Sequence, residues 1–225
     1  MRSVIIGLVG ASALATASAA SATVNVDFGS APGNLGPVHT YSTSVGNIVA
    51  SGYLDGFFFS TPGDLYGKNQ GGDEQGLGLA ADPSGQNEIY AGNSFVGAFV
   101  ELDVSAILSN VSVAQFFMGS TTGGESWSVY GSNYGGCGWI CGDLVATGSD
   151  EGTLHTLGGW GDYQYYDFYS NGTNGQAPGN VLLSGLQLTP SVPEPSTWAM
   201  MLLGFGALGM AIRKSRSNQG IAQLA

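Results

Sequence analysis

Positive charge is almost missing from this chain: 225 residues hold only five Lys or Arg, and four of those lie at the ends, as Arg2 and as Arg213, Lys214 and Arg216. Residues 23–191 carry fifteen acidic residues against one basic residue, Lys68, a formal charge of −14. Nucleic acid is thereby excluded as a partner, because binding a phosphate backbone needs a cationic footprint. Cysteine is equally scarce: Cys137 and Cys141 are the whole supply. With His39 and His155 distant in sequence, no zinc set forms around them, and a thioredoxin-like redox context is absent. The remaining reading is a short local disulfide, a loop staple in "GGCGWICGD" suited to an oxidising compartment. Neither histidine sits in a Gly-x-Ser-x-Gly or His-Glu-x-x-His pattern, so no hydrolase motif is present. Glycosidase chemistry needs only two carboxylates, and among Glu74, Glu88, Glu101, Glu125 and Glu151 no pair is singled out. The expectation is a chain that is not an enzyme and needs no catalytic cofactor.

Sustained helical periodicity is also lacking between residues 23 and 191, whereas two-residue alternation is common. Val96, Ala98, Val100, Leu102 and Val104 share one face, with Phe95, Gly97, Phe99, Glu101 and Asp103 on the other. Similar runs span 23–28, 53–59, 111–118, 126–130, 163–169 and 181–188, separated by Gly-, Asn- and Ser-rich turns. This pattern predicts an all-β domain, a jelly-roll-like antiparallel β-sandwich with Greek-key links. A parallel β-helix is the competing architecture, and the absence of a fixed repeat counts against it. Residues 63–86 read as one long turn-rich loop that carries a binding edge or a bound ion. Asp73, Glu74 and Asp82 in that stretch are candidate ligands for a structural calcium ion, with Glu88, Glu101 and Asp103 following. The plainer reading of the same residues is a solvated acidic loop.

Three tryptophans and a run of tyrosines supply aromatic surface. Trp127 and alternate tyrosines read as core. Trp139 and Trp160, each beside glycines, are the candidate glycan contacts.

Both ends have their own logic. Arg2, the apolar stretch 4–14 and the small residues that follow have the three regions of a signal peptide over residues 1–22. Cleavage is expected after Ala20-Ser21-Ala22, with Ala17-Ser18-Ala19 as the alternative. The C-terminal 192–225 begins with Pro193, Glu194 and Pro195, which favour an extended, accessible backbone. From Trp198 to Ile212 there is no charge, a helix of about 22 Å if fully wound. Arg213, Lys214 and Arg216 then stop the run and belong on the cytoplasmic side, so the expectation is a single transmembrane helix with everything before it outside.

The tail "PEPSTWAMMLLGFGALGMAIRKSR" resembles the PEP-CTERM sorting signal of Gram-negative exported proteins. That resemblance implies recognition of Pro193, Glu194 and Pro195 by exosortase, transient residence in the inner membrane, and association with exopolysaccharide in a cell-surface or biofilm matrix. Residues 217–225 continue past the basic end, farther than the resemblance leads one to expect. A stretch from "GDEQGLGLAADPSG" to "VELDVS" is similar to a segment common in passengers of the same family, which implies a shared sandwich and supplies no activity. The functional expectation is an exported, non-catalytic surface or matrix protein. The alternative is a secreted carbohydrate-binding module or glycan-active enzyme bearing the same address.

Overall fold

Alternation becomes strand wherever both faces of the chain can be covered. The computed structural model describes residues 22–54, 60–82, 84–91, 98–173, 179–191 and 201–209. Within these, the strands are β1 (Val24–Asp27), β2 (Gly33–Gly36), β3 (Val38–Thr43), β4 (Gly46–Leu54), β5 (Thr61–Pro62), β6 (Leu65–Asn69), β7 (Gln75–Leu79) and β8 (Ile89–Ala91). They continue as β9 (Ala98–Asp103), β10 (Val111–Gly119), β11 (Glu125–Ser132), β12 (Asp143–Gly148), β13 (His155–Thr156), β14 (Tyr165–Thr173) and β15 (Gly179–Pro190). One sheet runs β13-β10-β15-β7-β6-β2, with β1 and β8 also pairing β15; the other runs β12-β11-β14-β9-β4-β3, with β5 on β4. Every pairing between these strands is antiparallel. A parallel helix of strands is thereby ruled out for the described residues. From β9 onward the chain crosses repeatedly between the sheets, β9 and β11 in one, β10 and β15 in the other.

One hydrophobic core lies between the sheets and takes residues from both: Val100, Leu102, Trp127 and Phe168 from one, Phe116, Leu183, Leu186 and Leu188 from the other. Phe116 sits edge-on to both Trp127 and Phe168, at ring separations of 5.3 and 5.4 Å. Full burial of such side chains contributes about 1.5–3 kcal/mol each. Ala98, Val100, Leu102 and Val104 all face this core, as their alternation predicts, while Val96 lies outside the described residues. The opposite face of β9 departs from simple alternation: Phe99 and Glu101 are buried as well, but in a second layer on the outside of the sheet.

Residues 63–86 are not the long loop that their glycines suggest. They contain the β6–β7 hairpin, paired from Leu65↔Leu79 to Asn69↔Gln75. At Gly67 and Gly78 other backbone passes too close for a side chain. A Cβ on Gly67 would lie 1.9 Å from the carbonyl oxygen of Ala31, and one on Gly78 would lie 2.3 Å from that of Asn87. Residues 53–59 are strand only as far as Leu54 within the described residues.

Residues 21–191 form one compact unit. Of the expected C-terminal span, residues 201–209 are described and are helical, with Leu202, Leu203, Phe205 and Leu208 exposed. Among the described residues no helix is long and apolar enough to cross a membrane. Pro193, Glu194, Pro195, Trp198, Ile212, Arg213, Lys214 and Arg216 lie outside the described residues, as do residues 1–21 of the signal peptide expected over 1–22.

Candidate functional site

Three places in the β domain gather polar chemistry. The first is the outer face of the β4-β9-β14-β11 sheet. Register puts Ser51, Glu101, Asp167 and Tyr130 in one row across four strands, and Tyr53, Phe99 and Tyr169 in the next. The three rings stack in sequence, Tyr53 on Phe99 at 4.9 Å and Phe99 on Tyr169 at 4.8 Å. Over this face folds the loop closed by the disulfide between Cys137 and Cys141, whose Cα atoms are 5.9 Å apart. The loop is pinned from below: the Gly136 N–H donates to Glu101, and the Trp139 N–H donates to the Tyr169 hydroxyl at 3.2 Å. Gly138 has a positive φ of 61°, and a Cβ there would strike the Tyr169 hydroxyl at 2.2 Å, so the descent of the loop requires glycine.

Glu101 and Asp167 are both buried and stand opposite one another on the paired strands β9 and β14. Burial pushes the Glu101 carboxyl up from its ordinary range; the Gly136 N–H and Asp167 pull the other way, and Asp103 adds to the rise. One proton between two buried carboxyls is the arrangement that avoids two adjacent charges in a dry site. Above them the loop shows apolar surface: Tyr134 is 72%, Trp139 49% and Ile140 55% exposed.

The second place is internal. Lys68 on β6 and Glu88 before β8 are buried, and the Lys68 ammonium contacts the carboxylates of both Glu74 and Glu88. The Ser120 hydroxyl lies 3.0 Å from an oxygen of each. Burial raises the Glu88 carboxyl above its usual range against the opposing pull of Lys68, whereas the hydrogen bond from Lys68 lowers that of Glu74. Burial works to lower the Lys68 ammonium, but its bonds to the two glutamates outweigh that and raise it.

The third is a cleft of about 420 Å³ lined in part by Asn25, Asp27, Asp73, Gln75, Phe117 and Ser184. The calcium candidates are therefore dispersed. Asp73 lines this cleft, and Glu74 is held by Lys68. Asp82 caps its own turn, accepting from the Ser84 N–H at 2.9 Å and hydroxyl at 2.6 Å. Among the described residues no group of three or more His, Cys, Asp or Glu is arranged to hold a metal ion.

Of the two aromatic candidates, Trp139 is at the surface, whereas Trp160 packs against the core. Its indole N–H donates to the Val111 carbonyl at 2.9 Å and its ring stacks on Tyr166. Trp127 is fully buried. The sequence reading passed over Lys68 and Asp167. The signal for Lys68 was its solitude: a domain with one cation and fifteen carboxylates places it where it neutralises most.

The C-terminal segment is decided by its own pattern. A family model described as a PEP-CTERM protein-sorting motif matches residues 191–217. The tail is a PEP-CTERM sorting motif. It takes in Pro193, Glu194, Pro195, the apolar run and the basic end, and such a motif implies an exported protein sorted by exosortase. Upstream of the PEP-CTERM motif the comparisons add little. No curated protein matches the chain. Among solved structures, a family two carbohydrate esterase from Cellvibrio japonicus is similar at 15% identity and a TM-score of 0.29, over 78% of this chain and 36% of that one. The chain thus spans about a third of that protein's length, and likeness at this level assigns no activity.

Proposed function

We propose that this chain is a non-catalytic surface or extracellular-matrix protein, delivered by exosortase to the exopolysaccharide layer where its β domain resides. The observation that carries this reading is the PEP-CTERM motif at residues 191–217, directly after the compact unit 21–191. The signal peptide starts export. The run from Trp198 to Ile212 then enters the inner membrane transiently, and Arg213, Lys214 and Arg216 halt translocation, so that Pro193, Glu194 and Pro195 are presented to exosortase on the outer side. A cleaved product needs no membrane helix of its own.

Three features support a role without catalysis. The facing carboxyls of Glu101 and Asp167 are buried under a stapled loop. The ion cluster keeps Lys68 and Glu88 inside the fold, with Glu74 as its partly exposed member. The surface charge favours solubility outside the cell and neutral partners over anionic ones. Replacing Pro193, Glu194 and Pro195 together with alanine tests the sorting step: uncut precursor collects in the membrane while export continues. Release at the normal rate would overturn it.

A second reading, a carbohydrate-binding module, is favoured by the exposed Trp139 on the disulfide-closed loop and Tyr134 just before it. Flat aromatic rings suit the apolar faces of neutral pyranoses. Trp139→Ala then weakens retention on a neutral polysaccharide in affinity electrophoresis; unchanged mobility of both forms with every glycan tried leaves the matrix role without this contact.

A further inference from the structure

The single cation of the β domain is spent inside it. A buried ion pair is a poor source of stability, because removing both charges from water costs about as much as their attraction returns. Lys68 nonetheless lies 4% and Glu88 1% exposed, in direct contact, with Glu74 touching the same ammonium. Ser120 bridges the two glutamates through one hydroxyl. Among the described residues, the non-glycine positions with positive φ are Asn87 at 60° and Ser120 at 56°, one next to Glu88 and the other within the cluster itself. Strained backbone of this kind persists where surrounding structure fixes a side chain in place.

We propose that Lys68 and Glu88 condense into an intramolecular amide cross-link, with Glu74 as the proton acceptor and Ser120 as the donor to the reacting carboxyl. The Lys68 ammonium gives one proton to Glu74, and the freed amine Nζ forms a bond to Cδ of the Glu88 acid. The C–OH bond of that acid breaks, and the hydroxyl leaves as water with a second proton from Nζ. The third Nζ proton remains as the amide N–H, and Glu74 keeps the proton it received. No oxidant or other reactant takes part, and no charge remains in the cluster. Burial raises the Glu88 carboxyl and favours its acid form, while the bond from Lys68 lowers that of Glu74 and favours the carboxylate; the same bonds raise the Lys68 ammonium and oppose its loss of a proton. In water the ionised pair is favoured over the amide. Burial reverses that balance, because only the neutral product is cheap to keep out of solvent. The bond ties β6 to the segment entering β8, closing a loop of residues 68–88 that contains the β6–β7 turn and all of β7.

Trypsin gives a direct test, because Lys68 is the only Lys or Arg between Arg2 and Arg213. A lysine whose Nζ is acylated is not cut. The full-length protein, folded, then denatured and digested, is expected to yield residues 3–213 or their processed form uncut at Lys68, lighter than its sequence by one water beyond the disulfide. Lys68→Arg, unable to form this amide, is cut there under the same conditions. Glu74→Gln, which removes the proton acceptor at a half-exposed position, keeps the fold by circular dichroism but is cut at Lys68 and retains the full mass. Cleavage of the denatured wild-type chain after Lys68, with no missing water, would overturn the proposal.

Discussion

Glu101 and Asp167 stand directly opposite one another on the paired strands β9 and β14, under a loop that a disulfide holds shut and that donates the Gly136 N–H to Glu101. Neighbouring carboxyls on one sheet face repel if both ionise, so burial there favours the protonated form of Glu101.

The pH dependence follows from the sign of the shift. Glu101 is raised in the folded state, chiefly by burial, so the folded domain holds a proton that the unfolded chain releases. Its contribution is complete below the ordinary glutamate range and is lost as pH rises through the elevated folded value. Glu101→Gln keeps an acceptor for Gly136 and offers a donor to Asp167. Thermal melts across pH should show the variant flatter than wild type through that window, and more stable at neutral pH by on the order of 1 kcal/mol. A wild-type profile that rises with pH there contradicts the elevation of the Glu101 carboxyl.

Val100→Asp places a charge in the central core without a partner, since Val100 is fully buried among apolar side chains. The expected loss is about 3–5 kcal/mol, read as failure to fold or a large drop in Tm. Near-wild-type melting would mean that β9 turns its other face inward.

Gly67→Ala tests why the β6–β7 strands contain glycine. The new methyl meets the Ala31 carbonyl, backbone that cannot rotate away, and the expected cost is about 1–3 kcal/mol or more by chemical denaturation. A neutral effect would show that this packing relaxes freely.

Cys137→Ser with Cys141→Ser opens a loop of very few residues. Chain entropy for so short a closure gives about 2 kcal/mol, so the domain should stay folded with a modestly lower Tm. The local effect is larger than the global one: Trp139 fluorescence should shift as the loop leaves Tyr169. Complete unfolding of the double variant would contradict the role of a staple.

How far these features could be read from sequence varied with the range of the interaction behind them. Alternation at Ala98, Val100 and Leu102 identified the inward face of β9, because burial on one side of a strand has a period of two. It said nothing of Phe99 and Glu101, buried by a loop some thirty-five residues away through Gly136. The glycines of 63–86 signal a turn by composition, yet Gly67 and Gly78 are strand residues whose missing side chains admit the Ala31 and Asn87 backbone. Trp160 beside three glycines reads as exposed for the same compositional reason, and only the distant Val111 carbonyl explains its burial. The sorting motif was legible outright because its parts are contiguous: Pro193, Glu194 and Pro195, an uncharged run, and cations at Arg213, Lys214 and Arg216. Asp73, Glu74 and Asp82 show the reverse, three carboxylates close in sequence that the hairpin sends to a cleft, an ion pair and a turn.

The central claim is that the tail directs sorting and is then removed. Terminal peptide mapping of the protein recovered from the extracellular material of its native host tests it most directly. A first residue near Thr23 and a chain that lacks residues 198–225 are expected. Recovery of extracellular protein with the apolar run and Arg213, Lys214 and Arg216 still attached would contradict it.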